Sequence, residues 1–91
     1  MEHREKAIIV GVSTTSEDVF DSLEELINLA HACDIEVLGS LTQNLRRINA
    51  SYYIGSGKVE ELKSLVEANE AESVIFDDEL SPTQIRNLEK M

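Results

Sequence analysis

Two stretches of this chain carry the same signal: a short apolar run, a polar turn and the start of a helix. The first is Tyr53-Ile54-Gly55-Ser56-Gly57-Lys58-Val59-Glu60-Glu61-Leu62. The second runs from Val74 through Asp77-Asp78-Glu79 and Ser81-Pro82 to Glu89. Open α/β sheets present their ligand-binding edges in this way, at the carboxyl ends of strands. Upstream, Lys6 to Val12 is a continuous Ile- and Val-rich run, as expected of a strand covered on both faces.

The intervening segments complete the pattern. Ser13 to Ser16 offers a turn with hydroxyl caps, and Glu17 and Asp18 place acids in a first helical turn, where the helix dipole favours them. Val19, Leu23, Leu26, Ala30 and Cys33 then recur at helical spacing, with Phe20 and Ile27 widening the stripe. This helix ends near Asp34. Ile35 to Thr42 reads as a second strand punctuated by Gly39, and Gln43 to Ser51 is polar and irregular. Tyr52 to Gly55 reads as a third strand, Lys58 to Asn69 as a helix with Val59, Leu62, Leu65 and Val66 inward, and Ser73 to Phe76 as a fourth strand. Ser81, Pro82 and Gln84 form an S-x-x-Q capping box with proline at the first helical position.

The expectation is one α/β domain over residues 1–91. Two successive βαβ units give a four-stranded, mostly parallel sheet with helices on its faces, followed by a truncated C-terminal helix. No helix links the second strand to the third, so the orientation of the third is left open. The last apolar stripe begins at Ile85 and Leu88 and stops at Met91, which reads as a piece of a longer protein. Its unpartnered residues and an open sheet edge would favour self-association.

Composition narrows the function classes. The chain carries eighteen acids against eight Lys and Arg, a net charge of −10, so it is no generic nucleic-acid binder. Yet no acid lies between Glu36 and Glu60, where Arg46, Arg47 and Lys58 stand. With Gln43, Asn44, Asn49, Tyr52 and Tyr53 interleaved, that basic island suits phosphate and base contacts. The same residues would also make a solvated loop with Tyr53 packed into the core, and residues alone leave the two readings open. Cys33 reads as a small buried hydrophobe, and His3 and His31 as solvated. The apolar run from Ala7 to Val12 is too short for a membrane span and wrongly flanked for a signal peptide, pointing to the cytoplasm.

Gly55-Ser56-Gly57-Lys58 imitates a phosphate loop but fails its chemistry. A Walker A motif would need glycine at Tyr52 and a metal-binding hydroxyl at Val59. What survives is a weaker anion-binding turn at Gly55, Ser56, Gly57 and Lys58, against a plain strand-to-helix turn. Asp77-Asp78-Glu79 imitates a Walker B acid, and reads better as negative charge before a helix N-terminus. No catalytic constellation or metal-ligand set can be assembled.

Several segments resemble the N-terminal domain of HflX-type GTPases, within the Obg–HflX superfamily of translational GTPases. They are Ser22-Leu23-Glu24-Glu25-Leu26 with Leu29-Ala30, Gln43 with Arg46, Tyr53-Ile54-Gly55 with Gly57-Lys58, and the Phe76-to-Glu89 run. One departure is Asp34, where that family commonly has glycine. The resemblance implies a parent that hydrolyses GTP with Mg2+, binds the large (50S) ribosomal subunit and splits or rescues stalled ribosomes under stress. It implies for this piece a regulatory, rRNA-contacting role, without GTP hydrolysis or a cofactor of its own, next to the parent's GTPase and helical segments. The ribosome-contacting candidates are Gln43, Arg46, Arg47, Tyr53 and Lys58. The alternatives are nucleotide-phosphate binding at Gly55 to Lys58, and an acidic protein–protein module.

Overall fold

A computed structural model describes residues 4–14 and 20–90, the side chains of residues 20–22 excepted. Thr15, Ser16, Glu17, Asp18, Val19 and His3, which figure in the expectations above, lie outside the described residues. The elements run β1 (Glu5–Ser13), α1 (Phe20–Ala32), β2 (Ile35–Asn44), α2 (Ser56–Asn69), β3 (Ser73–Phe76) and α3 (Pro82–Glu89).

Among the described residues the sheet has three strands, in the order β2-β1-β3, and both pairings are parallel. This corrects the four-stranded expectation. Tyr52 to Gly55 is not a strand: Tyr53 sits at φ +70°, a left-handed conformation that ends any extended run. Its ladder amounts to one isolated antiparallel bridge between Asn49 and Tyr53. The segment is apolar because Tyr53 and Ile54 cover the core, at 5% and 1% exposure, and not because it joins the sheet.

Central β1 explains its own sequence. Ala7, Ile8, Ile9 and Val10 are all buried, because helices cover both faces of a strand with neighbours on both sides. Ile8 and Val10 meet Leu41, Tyr53, Ile54, Val59 and Leu62 on the α2 face, whereas Ile9 meets Leu23 and Ala30 on the α1 face. Full burial of each such aliphatic side chain stabilises the fold by roughly 1.5–3 kcal/mol.

A register shift in β2 decides what reaches the α2 face. Ala7 pairs with Val37 but Ile8 pairs with Gly39, so Leu38 is an extra residue. A bulge of this kind reverses the alternation beyond it. Ile35 and Val37 accordingly pack toward α1, while Leu41 packs toward α2. Gln43, two residues on, follows Leu41 to that side and there reaches Gly55.

Helix α1 turns off through Asp34 at φ +63°. The Cys33 amide bonds back to the Leu29 and Ala30 carbonyls, and Asp34 to His31. Cys33 is exposed, which corrects its expected burial: it falls beyond the last helical residue, where the stripe no longer points inward. Along β3, a groove of about 420 Å³ is lined by Val74, Phe76, Leu80, Ile85 and Leu88, and Ile85 is 42% exposed. Among the described residues, no helix is long and apolar enough to cross a membrane.

Candidate functional site

The chain reverses direction across β1: α1 leads to β2 on one side, and α2 leads to β3 on the other. The gap between the carboxyl ends of β1 and β3 is thus a topological switch point, the place where open α/β sheets hold ligands. Here Asp77, the residue after β3, closes it. Its amide donates to the Val10 carbonyl at 3.0 Å, its Oδ2 accepts from the Val12 amide at 3.0 Å, and its Oδ1 accepts from the Tyr53 hydroxyl at 2.9 Å. The acid therefore works as a tether between two strands and the loop, and not at a helix N-terminus. Asp78 Oδ1 accepts from the Glu79 amide, and the N-cap of α3 is Ser81.

Tyr53 is accordingly an internal residue. Its ring meets Phe76 edge-on, with centroids 5.5 Å apart. Burial first, then the hydrogen bond and the negative charge of Asp77, hold its phenol well above the usual tyrosine value.

The loop between β2 and α2 is closed at its base and braced in its middle. Gln43 Oε1 accepts from the Gly55 amide at 2.9 Å, which brings the last turn of β2 against the residue before α2. A Cβ on Gly55 would lie 2.9 Å from Gln43 Nε2, so close approach, and not a special φ, favours glycine there. Gly57 meets nothing within 4 Å and has no positive φ. Inside the loop, Asn49 Oδ1 accepts from the Ser51 and Tyr52 amides at 2.8 and 2.9 Å, an Asx turn. The Tyr53 amide returns to the Asn49 carbonyl at 2.9 Å.

The basic residues fall into two groups. Arg46 and Arg47 are exposed at the start of the loop. Lys58, in the first turn of α2, pairs with Glu61 at 2.9 Å, an i,i+3 contact. Lys58 stands inside the acid-free interval of the sequence, yet the helix wraps a following acid back onto it. Of the candidate residues, Gln43 and Tyr53 shape the loop from beneath, and Arg46 and Arg47 offer charge to solvent. Ser56 and Gly57 are exposed at the turn, while the Gly55 amide is spent on Gln43.

Sequence reasoning missed the loop-bracing roles of Asn49, Gln84 and Asn87. Asn49 organises the loop, and its position four residues before Tyr53 is a turn signal that could have been read locally. Gln84 Nε2 donates to the Asn49 carbonyl at 2.8 Å, and Asn87 Nδ2 to the Ser51 carbonyl at 3.0 Å. Those two contacts span 35 and 36 residues, and no local pattern announces them.

Comparison with known proteins places the sequence among related chains. The family model described as "GTP-binding GTPase N-terminal" matches residues 20–91. The chain is 49% identical over 86 residues to a GTPase HflX of Caldanaerobacter subterraneus, an alignment covering 94% of this chain and 20% of the relative. It is 43% identical over 86 residues to a GTPase HflX of Alkalihalophilus pseudofirmus, covering 92% of this chain and 20% of that relative. With the GTPase HflX of Escherichia coli it shares 33% identity over 87 residues, 96% of this chain and again 20% of the relative. The chain thus spans about a fifth of the length of these relatives. On both the family model and this depth of identity, the chain belongs to the GTP-binding GTPase N-terminal family, as an N-terminal domain of the HflX type.

Proposed function

We propose that this domain is the rRNA-contacting, regulatory part of an HflX-type GTPase that acts on the large ribosomal subunit in the cytoplasm. GTP and Mg2+ are bound elsewhere in such a protein, and this domain places a basic loop against ribosomal phosphates. The observation that carries the reading is the loop itself. Arg46 and Arg47 are exposed in a segment without acids, on a loop whose base and middle are pinned by Gln43 and Asn49. A pre-shaped loop spends less ordering entropy on binding than a free one. The phosphate-turn alternative has less to draw on, since the Gly55 amide and the Lys58 ammonium both have partners within the domain.

Titration against purified large ribosomal subunits tests the proposal. Two to three phosphate contacts give a slope of log affinity against log salt of roughly −2. The Arg46→Ala, Arg47→Ala double variant flattens that slope and removes most of the binding. Lys63→Ala with Lys90→Ala, one within α2 among Glu60, Glu61 and Glu67 and one just past α3 beside Glu89, does much less. Equal weakening by the two sets would overturn the assignment of the loop.

A further inference from the structure

Helix α3 joins the loop through groups that its own capping does not require. Gln84 is 7% exposed, and its side chain is divided between two tasks. Its Oε1 accepts from the Ser81 amide at 2.8 Å, while its own amide donates to Ser81 Oγ at 3.2 Å, which completes the capping box. Its Nε2 points the other way and donates to the Asn49 carbonyl at 2.8 Å. That carbonyl also accepts the Tyr53 amide, so both of its lone pairs are used. One turn further along α3, Asn87 Nδ2 holds the Ser51 carbonyl at 3.0 Å.

We infer that α3 is a latch on the basic loop: the Gln84 carboxamide, seconded by Asn87, holds residues 49–53, so that helix and loop order and move as one unit. The chemistry at position 84 is specific. A glutamate would serve the capping box equally, since the box needs only an acceptor. Only a carboxamide supplies that acceptor and a donor for the Asn49 carbonyl together. Replacing it with a carboxylate opposes two acceptors and breaks the link while leaving the cap.

The consequence is coupling. Helix α3 borders the open groove beside β3, and Ile85 and Leu88 line that groove. A contact that displaces the helix there must either carry the loop with it or break the two amide bonds. By linkage, a ligand that fixes the loop stabilises α3 by the same free energy. The inference holds whatever the loop binds.

Amide hydrogen exchange on the 91-residue chain tests it. In Gln84→Glu, the Tyr52 and Tyr53 amides exchange about tenfold faster or more, as expected when a local tether is cut. The Ile85 and Leu88 amides of α3, released from the same tether, also speed several-fold although the Ser81 cap is retained, and the Ile8 and Ile9 amides of β1 report an intact fold. Reciprocity supplies the second arm: Asn49→Ala, which removes the Asx turn, speeds exchange at Ile85 and Leu88 several-fold. Loop exchange within twofold of the unmodified chain in Gln84→Glu would overturn the inference. So would a rise shared equally by Ile8 and Ile9, or an Asn49→Ala variant that loosens the loop but not α3.

Discussion

The Tyr53 hydroxyl donates to Asp77 Oδ1 at 2.9 Å, across the gap between the loop and the carboxyl end of the sheet. The same carboxylate accepts the Val12 amide through its other oxygen, so one side chain ties β1, β3 and the loop together. A phenol and a carboxylate fill the position where a ligand sits in many sheets of this order.

Tyr53→Phe keeps the ring, its packing on Phe76 and the local backbone, and deletes only the donor. Asp77 Oδ1 is then left without that partner in a half-buried setting. The expected cost is about 1.5–3 kcal/mol, the range for hydrogen bonds to charged groups. Urea unfolding checks it: a lowered midpoint with an unchanged m-value is the expected pattern, and an unchanged midpoint would remove the tether from the stability account.

The same pair makes stability sensitive to alkali. Folding raises the Tyr53 phenol above its ordinary value of 10.0, so the folded state keeps its proton where the unfolded chain has lost it. The contribution is fully present below about pH 10 and declines as pH rises above it, by up to about 1.4 kcal/mol per pH unit. Unfolding midpoints compared at pH 8 and pH 11 should fall more for the unmodified chain than for Tyr53→Phe. Parallel declines would show that the steepness comes from other groups.

Gly55→Ala and Gly57→Ala should diverge although the two glycines are two residues apart. A Cβ at Gly55 meets Gln43 Nε2 at 2.9 Å, which displaces the carboxamide and its bond to the Gly55 amide. The cost is about 1 kcal/mol, and it is non-additive with Gln43→Ala, whose shortened side chain leaves nothing to displace. Gly57 is helical and uncrowded, so alanine there should stabilise by about 0.5 kcal/mol through backbone entropy. Thermal unfolding of the three single variants and the double variant separates these outcomes.

Asp34→Gly should raise stability by about 0.5–1 kcal/mol, because φ +63° is costly for a residue with a Cβ and free for glycine. The change also removes the Arg4–Asp34 ion pair at 3.0 Å, whose side chains are 62% and 61% exposed. Exposed pairs contribute little, so the backbone gain should win. A lower melting temperature would reverse that ranking.

Much of the fold was legible because it depends on local periodicity. The stripe through Leu23 and Ala30, the inward Val59 and Leu62, the bounds of β3 and the Ser81–Gln84 capping box each repeat within one or two turns of chain. The exposed arginines and the start of α2 after Gly55 belong to the same class, since charge and turn chemistry act over a few residues. What the tertiary structure alone decided concerns partners far apart in sequence. Tyr52 to Gly55 has a strand's composition, but a strand needs a neighbour, and the Asn49 turn, the Asp77 carboxylate and Gln84 instead fold it at φ +70° into a buried plug. The bulge at Leu38 is likewise invisible to a period-two reading, yet it turns Leu41 toward α2 and brings Gln43 to Gly55. Periodicity tells each residue which side of its own element it lies on. Only the docking of one element on another tells it what it will touch, because that choice is made by hydrogen bonds and packing that close loops of 12 to 65 residues.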